Sequence, residues 1–346
     1  MRRPIDLAFR VAGGTRRLAC RPGLRPVSGA QPNPQRGDLL MNRSTFALAI
    51  AAALCCSTLA HAQVAFDANL ELDTTYVNKI EAPATNARES DLTLGGRIEI
   101  NATTPTSNSG SFVKARASLL TKKDGDAAVD DLWVQFGNTG ADLKLGRFEA
   151  MDLFPLGKDV LVETNVGGYE AYRAQFLRGR FGSDVFHGAV GINAGESLRI
   201  ELGLVQTKED GLAKGFRPAV AYTAGPLTLR AGVEAVKIVG QDEHENGAGV
   251  SASYQFSKDS VLHTSFAKRG EDKSVGVNAI FGAAGFGVVH GKGATAAQKA
   301  TTVYAAYSFP LMGVKGAFIT PALSYAKGGT GTDNQLAARV RINYAF

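Results

Sequence analysis

Two groups of charged side chains carry most of the chemistry that this sequence offers. The acidic group lies in one connecting segment, residues 148–183, and consists of Glu149, Asp152, Asp159, Glu163 and Glu170. The basic group lies on segments that alternate apolar and polar residues, and consists of Arg97, Lys114, Arg116, Arg339 and Arg341. Acids that face bases across a narrow aqueous space create a transverse field, which orients dipolar solutes and sets ion preference. The alternative is a set of solvated charges, because Asp67, Glu71, Asp73 and Glu99 are interleaved with the bases.

The sequence offers little for bond-breaking chemistry. Nucleophilic catalysis needs a nucleophile and a base held within hydrogen-bond reach. The histidines that follow residue 62 are scattered over separate segments: His187, His244, His263 and His290. His263 and Ser265 share a predicted strand face, but alternation alone often produces such a pair. Without a phosphate loop, metal-ligand cluster or catalytic motif, we predict a protein that is not an enzyme and uses no cofactor or metal.

Alternation with a period of two predicts that β-strands position these charges. In the final segment, LAARVRINYAF, apolar Val340 and Ile342 flank Arg341, so that one face meets an apolar medium and the other meets water. Segments of about ten residues with this pattern recur along the chain, as tilted strands that cross a bilayer require. We therefore predict a transmembrane antiparallel β-barrel. A soluble β-sandwich is the alternative, but its strands would be shorter.

Connection lengths predict the number of strands. Short turns and long loops must alternate when both chain ends lie on the same side of a barrel, and this parity favours sixteen strands over fourteen or eighteen. The predicted strands are 64–76, 91–102, 111–120, 128–137, 141–147, 184–194, 197–207, 216–223, 227–237, 247–256, 261–268, 273–282, 285–292, 301–309, 315–326 and 334–346. Residues 148–183 then form one long third loop. Loops this long are usually functional or disordered, and apolar Leu153 and Phe154 argue against disorder.

The first 62 residues are predicted to be a leader. Residues 41–62 contain a basic start, an apolar run too short to span a bilayer and a small-residue cleavage site before Gln63, as signal peptides do. Residues 1–40 are interpreted as an extension from a start codon assigned too far upstream, with an extra targeting segment as the alternative. The leader holds nine of the 38 Lys and Arg, two of the 32 Asp and Glu and all three cysteines. The remaining domain, 63–346, is thus nearly neutral, which argues against nucleic acid as a partner.

Two parts of the sequence resemble bacterial outer-membrane porins. The last strand, with Tyr344 and the terminal Phe346, is similar to the final strand of outer-membrane barrels, where this ending is an assembly signal. The segment LKLGRFEAMDLFP, with Gly146-Arg147, stands where porins have a strand ending in Gly-Arg before a long third loop. The segments FPLGKD and FHGAVGIN are most similar to porins described as carbohydrate-selective.

This resemblance implies an outer-membrane channel for passive diffusion of small hydrophilic solutes, with sugars as candidates, and with ion conductance. It implies that the third loop folds inward, so that the acidic group forms the pore constriction and the basic group the pore wall. It also implies a homotrimer surrounded by outer-membrane lipids. Trp133 falls on the lumen side of its predicted strand and is a candidate for stacking against a sugar ring; the alternatives are the interfacial belt or packing under a loop. The alternative function is a non-conducting barrel that acts as an adhesin or structural anchor.

Overall fold

The structure is a computed structural model that describes residues 64–80, 88–107, 110–122, 125–158, 165–166, 169–241 and 244–346. The predicted leader, residues 1–62, lies outside the described residues, and so do Asp159 and Glu163 of the acidic group. Within the described ranges, no helix is both long enough and apolar enough to cross a membrane.

Nineteen strands follow one another along the described chain. They are β1 (Ala65–Ile80), β2 (Arg88–Thr103), β3 (Phe112–Lys122), β4 (Ala127–Gly137), β5 (Ala141–Arg147), β6 (Asn165–Val166), β7 (Tyr169–Glu170), β8 (Phe186–Ala194), β9 (Leu198–Gln206), β10 (Ala213–Ala224), β11 (Leu227–Ile238), β12 (Gly247–Ser257), β13 (Ser260–Arg269), β14 (Asp272–Phe281), β15 (Ala284–Lys292), β16 (Lys299–Tyr307), β17 (Phe309–Pro310), β18 (Ala317–Gly328) and β19 (Asn334–Ala345). Strands β6 and β7 form a short hairpin of their own, and β17 is a two-residue strand beside β18. The other sixteen form the barrel.

The barrel strands pair antiparallel in sequence order, and the pairing of β1 with β19 closes the sheet. This seam runs from Asn69 opposite Ala345 to Ile80 opposite Asn334. The predicted sixteen-stranded antiparallel barrel is therefore confirmed, and each predicted strand end lies within four residues of the observed end. The largest difference is at the end of β1, where backbone pairing continues past the predicted end, Tyr76, as far as Ile80, because ladder hydrogen bonds do not depend on side-chain polarity.

Large apolar side chains cover the outward face of the barrel. Leu72, Leu132 and Leu323 are 64%, 57% and 59% exposed, respectively, and residues on either side of them along each strand point inward. Apolar surface gains about 25 cal/mol for each Å² removed from water, so an outward band of this kind is unfavourable in water. It is the surface expected of a barrel surrounded by lipid.

Aromatic rings mark the end of the barrel at which β1 begins and β19 ends. Phe281 of β14 stacks on Phe286 of β15 with ring centroids 5.9 Å apart. Tyr344 of β19 stacks on Phe346 at 5.1 Å. Such rings are enriched where a membrane barrel meets the lipid–water interface.

The third loop folds into the barrel as predicted over its described residues, 148–158, 165–166 and 169–185. It leaves the sheet after β5, contains the β6–β7 hairpin and returns at β8. Leu153 and Phe154 of this loop are 0% and 1% exposed, and they pack with Ala267, Val289 and other residues of the barrel wall. The main apolar core therefore lies between the loop and one side of the inner wall.

Candidate functional site

The inner wall has a glycine seat for the third loop, formed by Gly232 of β11, Gly249 of β12, Gly276 of β14 and Gly291 of β15. A Cβ atom at Gly276 would lie 2.7 Å from Cε1 of Phe154. A Cβ atom at Gly249 would lie 2.8 Å from the Cβ of Ala174. Since non-bonded carbon atoms pack at about 3.5–4.0 Å, the loop can lie this close to the wall only because these positions lack side chains.

Wall side chains also bind the backbone of the loop. Asn278 donates from Nδ2 to the carbonyl oxygen of Pro155 at 2.7 Å, and Tyr304 donates from its hydroxyl to the carbonyl oxygen of Leu156 at 2.9 Å. Buried carbonyl groups without partners would cost free energy, so these bonds favour the seated position. The loop is thus fixed by packing and by hydrogen bonds together.

A buried carboxylate fastens a second part of the loop. Glu234 of β11 accepts from the hydroxyl of Tyr172 at 2.7 Å and from the backbone nitrogen of Leu177 at 2.8 Å. Arg217 of β10 donates to the carbonyl oxygen of Ala174 at 3.2 Å and forms an ion pair with Glu234. Burial, with the charge of Glu234 as the next cause, raises the pKa of Tyr172 far above its usual range, so its hydroxyl stays a donor.

The Gly146-Arg147 pair joins the two ends of the loop to the wall. Gly146 has φ of 118°, and a Cβ atom there would come within 2.3 Å of a β4 carbonyl oxygen, so the position requires glycine. Arg147 donates from Nε to the carbonyl oxygen of Asp130 at 2.7 Å. Its Nη1 donates to the carbonyl oxygens of Arg180 and Phe181, at the far end of the loop. The motif that supported the resemblance therefore has a structural role.

A β-bulge between β3 and β4 places two consecutive carboxylates inside the barrel. The register shifts between Ala117 and Leu119, so that Ser118 meets both Asp130 and Asp131. The backbone nitrogen of Asp131 donates to Oγ of Ser118 at 2.9 Å, and the side chains of Asp130 and Asp131 are only 5% and 4% exposed. Strict alternation would send one of the two outward. Alternation therefore places Asp131 on the lumen face with Trp133 but sends Asp130 outward, and neither residue was among the predicted pore residues.

These carboxylates pair with the predicted bases of β2 and β3. Arg97 lies 2.5 Å from Glu99 and 2.9 Å from Asp130. Arg116 lies 3.3 Å from Glu99 and 3.6 Å from Asp131. Both bases therefore have acidic partners on the wall itself.

The predicted bases of β19 pair in the same manner with β1. Arg341 lies 2.7 Å from Asp73 and 3.3 Å from Glu71, while Arg339 lies 3.6 Å from Asp73. Lys114, the remaining base, lies near the other end of β3, with its Nζ 5.2 Å from the ring of Phe112. Since β19, β1, β2 and β3 are neighbours in the closed sheet, the structure brings the basic group onto one wall.

The described loop carboxylates pair with arginines of the same loop. Glu149 and Asp152 lie 3.2 Å and 3.4 Å from Arg178. Glu170 lies 3.6 Å from Arg173. Among the described residues, none of these three carboxylates is within ion-pair distance of the five wall bases. The loop arginines Arg173 and Arg178 were not among the predicted pore residues, and the role of the acidic group in a constriction stays a prediction.

Arg180 links the charges of the loop to those of the wall. It lies 3.3 Å from Asp130, 3.2 Å from Asp131 and 3.9 Å from Glu149. Burial disfavours the charged form, but these three carboxylates together raise the pKa of Arg180. The guanidinium therefore remains a fixed positive charge where the loop meets β4.

Trp133 lies on the inner side of β4, whereas its neighbour Leu132 faces outward. Lys144 of β5 places its Nζ 4.0 Å from the centre of the indole ring, and Arg116 places its Cζ 5.6 Å away. The ring also packs against the cluster around Phe148. It thus lies inside the barrel beside two cations, away from the lipid-facing aromatic belt.

The histidine of β13 has a different partner from the one its strand face indicated. His263 Nδ1 lies 2.7 Å from Oγ of Ser253 in the adjacent strand β12. Arg230 donates to the same hydroxyl at 2.9 Å. In the described part of the chain, no carboxylate accepts a hydrogen bond from His263, so the pair lacks the orienting group of a catalytic triad.

Comparisons with known proteins show two kinds of similarity. Residues 61–188 match the family described as porin-like glycoporin RafY. A triple mutant of the porin from Rhodopseudomonas blastica shares 15% identity at a TM-score of 0.55, covering 82% of this chain and 100% of that chain. A structure described as "Asymmetric conductivity of engineered proteins" covers the same shares at 14% identity and a TM-score of 0.55. No curated protein matches the sequence.

The structural matches establish the fold, because their identity is too low to carry more. The family match covers the segment from the first strand through the third loop, which includes Gly146-Arg147. Together these findings confirm the predicted resemblance to bacterial porins.

Proposed function

We propose that this protein is an outer-membrane porin that forms a water-filled channel for passive diffusion of ions and small hydrophilic solutes. The proposal rests on the difference in solvent exposure between the two sides of the barrel interior. The third loop covers the wall from β11 to β16, where Leu153 and Phe154 are buried. On the opposite wall, the side chains of Arg116 and Arg341 keep 32% and 23% of their surface accessible to solvent. A barrel filled by a plug would bury both walls.

The path for solutes runs between the third loop and the wall of β19, β1, β2 and β3. The acidic group on the loop and the basic group on the wall make this the narrow, charged part of the channel. Their fixed charges orient dipolar solutes and set ion preference. Assembly as a homotrimer in the outer membrane belongs to the same proposal and rests on the porin resemblance alone.

Conductance of the purified protein in a planar lipid bilayer tests this function. We expect discrete, voltage-independent current steps that scale with salt concentration. The matched control is the same preparation after the barrel has been unfolded by boiling. A correctly folded barrel that gives no current steps would contradict the channel and favour the adhesin or anchor.

We further propose sugars as preferred solutes. The support is the glycoporin description of the matching family and the position of Trp133 inside the barrel. An oligosaccharide is then expected to block the ion current in a saturable manner, and Trp133→Ala should weaken this block roughly fivefold, the equivalent of about 1 kcal/mol of lost stacking. Phe136→Ala, which removes an outward-facing ring of the same strand, serves as the control. Unsaturable passage of every sugar would leave a general porin.

A further inference from the structure

A row of four lysines crosses the outward face of the barrel near the rim opposite the C-terminal residue, Phe346. Lys268 of β13 is directly opposite Lys273 of β14, which is opposite Lys292 of β15, which is opposite Lys299 of β16. All four side chains are exposed. Consecutive cross-strand positions on four strands therefore carry the same charge.

The burial pattern places this lysine row on the lipid-facing side. Phe266, Val275 and Val303, which share the face of the lysines on their strands, are 45%, 46% and 48% exposed. The residues between them point inward: Ser274 is buried, and Gly291 packs against the third loop. The lysine row thus borders the outward apolar band on the side of that rim.

Like charges in directly opposite positions destabilise a sheet, because their Cβ atoms are only about 4.5–5.5 Å apart. Nothing in the described part of the chain neutralises the row, since the ion pairs there are made by arginines. Asp272, which precedes Lys273, and Glu245 are bound to Arg269. Glu271 is exposed in the adjoining turn and forms no ion pair with the row. Binding of an external anion would reduce the repulsion between these lysines.

The surface directly below the row fits the remainder of an amphipathic anion. Nδ1 of His290 in β15 lies 2.8 Å from Oγ1 of Thr301 in β16. This pair adds hydrogen-bonding groups on the outward face, next to the lysine row and further from the rim. Beyond them Val288 and Val303 face each other on the apolar band. Lysine side chains can lie along such apolar surface while their ammonium groups stay at the polar boundary.

We propose that the lysine row binds the phosphate groups of an anionic lipid in the membrane leaflet at this rim, with the acyl chains of the lipid on the apolar band below. Charge complementarity and the unbroken transition from cations to apolar surface favour a lipid over a soluble anion or a protein. This inference rests on the barrel lying in a membrane, and is independent of whether the barrel conducts.

Lipid retention by the purified, full-length barrel tests the proposal. The protein is exchanged into detergent micelles that contain phosphatidylglycerol or phosphatidylcholine at equal mole fraction, and bound lipids are counted by native mass spectrometry. We expect preferential retention of phosphatidylglycerol, and a loss of roughly tenfold in its apparent affinity when Lys268, Lys273, Lys292 and Lys299 are all replaced by Gln, because each lysine near an anionic surface adds to binding.

Three further variants make the test specific. Lys258→Gln combined with Lys315→Gln removes lysines from turns at the opposite end and should leave retention unchanged. Replacing the four lysines of the row by Arg should preserve retention, because guanidinium groups also bind phosphate. Lys273→Gln combined with Lys292→Gln should lose part of the phosphatidylglycerol retention. This double variant tests the proposal if the fourfold variant assembles poorly.

Equal retention of phosphatidylglycerol by the fourfold Gln variant and the unchanged protein would overturn the proposal. So would an equal loss in the Lys258 and Lys315 control, or displacement of the lipid by inorganic phosphate at equal concentration. The single-channel conductance of the Gln variant should stay unchanged, so that a failure of lipid binding is distinguishable from a failure of the proposed channel.

Discussion

Arg217 Nε lies 3.3 Å from Oε1 of Glu234, and the side chains of both residues are completely buried. The pair lies where the third loop meets β10 and β11, and Glu234 also accepts hydrogen bonds from the loop. Two charges removed from water are costly unless each is paired and hydrogen-bonded. The seated loop supplies some of those bonds, so loop position and charge pairing stabilise each other.

Glu234→Ala should therefore destabilise the folded barrel by about 3–5 kcal/mol, because it leaves Arg217 buried without its partner. Tyr172→Phe removes one hydrogen bond to the same carboxylate and should cost only about 1 kcal/mol. Urea unfolding of the barrel in detergent measures both changes. Glu271→Ala, in an exposed turn, is the control, and a Glu234→Ala barrel as stable as that control would contradict the prediction.

The glycine seat predicts a second effect. Gly276→Ala should displace the loop or destabilise the barrel by about 1–3 kcal/mol, because the new methyl group would overlap the ring of Phe154. Gly203→Ala is a matched change inside β9, where the nearest atom to the new Cβ would be at an ordinary 3.5 Å. Unfolding midpoints and single-channel conductance of the two variants should differ. If both behave like the unchanged protein, the loop does not depend on the seat.

From the charges of Arg339 and Arg341 on β19, we predict the direction in which ion selectivity changes when they are removed. Replacing Arg339 and Arg341 by Gln should shift permeation towards cations, because it removes two positive charges and frees the carboxylates of Asp73 and Glu71. A unit charge at 4 Å is worth about 1 kcal/mol even in water, so a severalfold change in the permeability ratio is expected. The reversal potential in a salt gradient measures it. The control, in which Lys258 and Lys315 are both replaced by Gln, should show no shift of the reversal potential. If the Arg339 and Arg341 double variant also showed no shift, these two arginines would lie off the conduction path.

The last residue predicts an effect on assembly. Phe346 exchanges two backbone hydrogen bonds with Ala68, at 2.9 Å and 3.0 Å, and stacks on Tyr344, so it completes the closing seam. Deleting Phe346, or introducing Tyr344→Asp on the lipid-facing side, should reduce the amount of heat-modifiable barrel in the outer membrane. Asn343→Ser, on the inner face of the same strand, is the control. Normal barrel levels in both altered proteins would reject this role.

Alternation along the strands was sufficient to predict the barrel, since a strand between lipid and water must change polarity at every residue. Lumen-facing Arg339 and Arg341 could be identified by their position between apolar residues. Asp130 could not, because a bulge breaks the period locally and no strong sequence signal marks it. Glu234 looked like any other lumen carboxylate, although it is buried beneath the loop.

The sequence by itself determined the architecture, the strand number and the presence of one long third loop, because these follow from the local period and from connection lengths; the inward fold of that loop was implied by the porin resemblance. Only the tertiary structure decided which charges become partners. Wall arginines pair with wall carboxylates and loop carboxylates pair with loop arginines, because barrel closure and the glycine seat set which side chains come within a few ångströms. Coulomb attraction and hydrogen bonding depend on those distances, and the one-dimensional order of residues does not contain them.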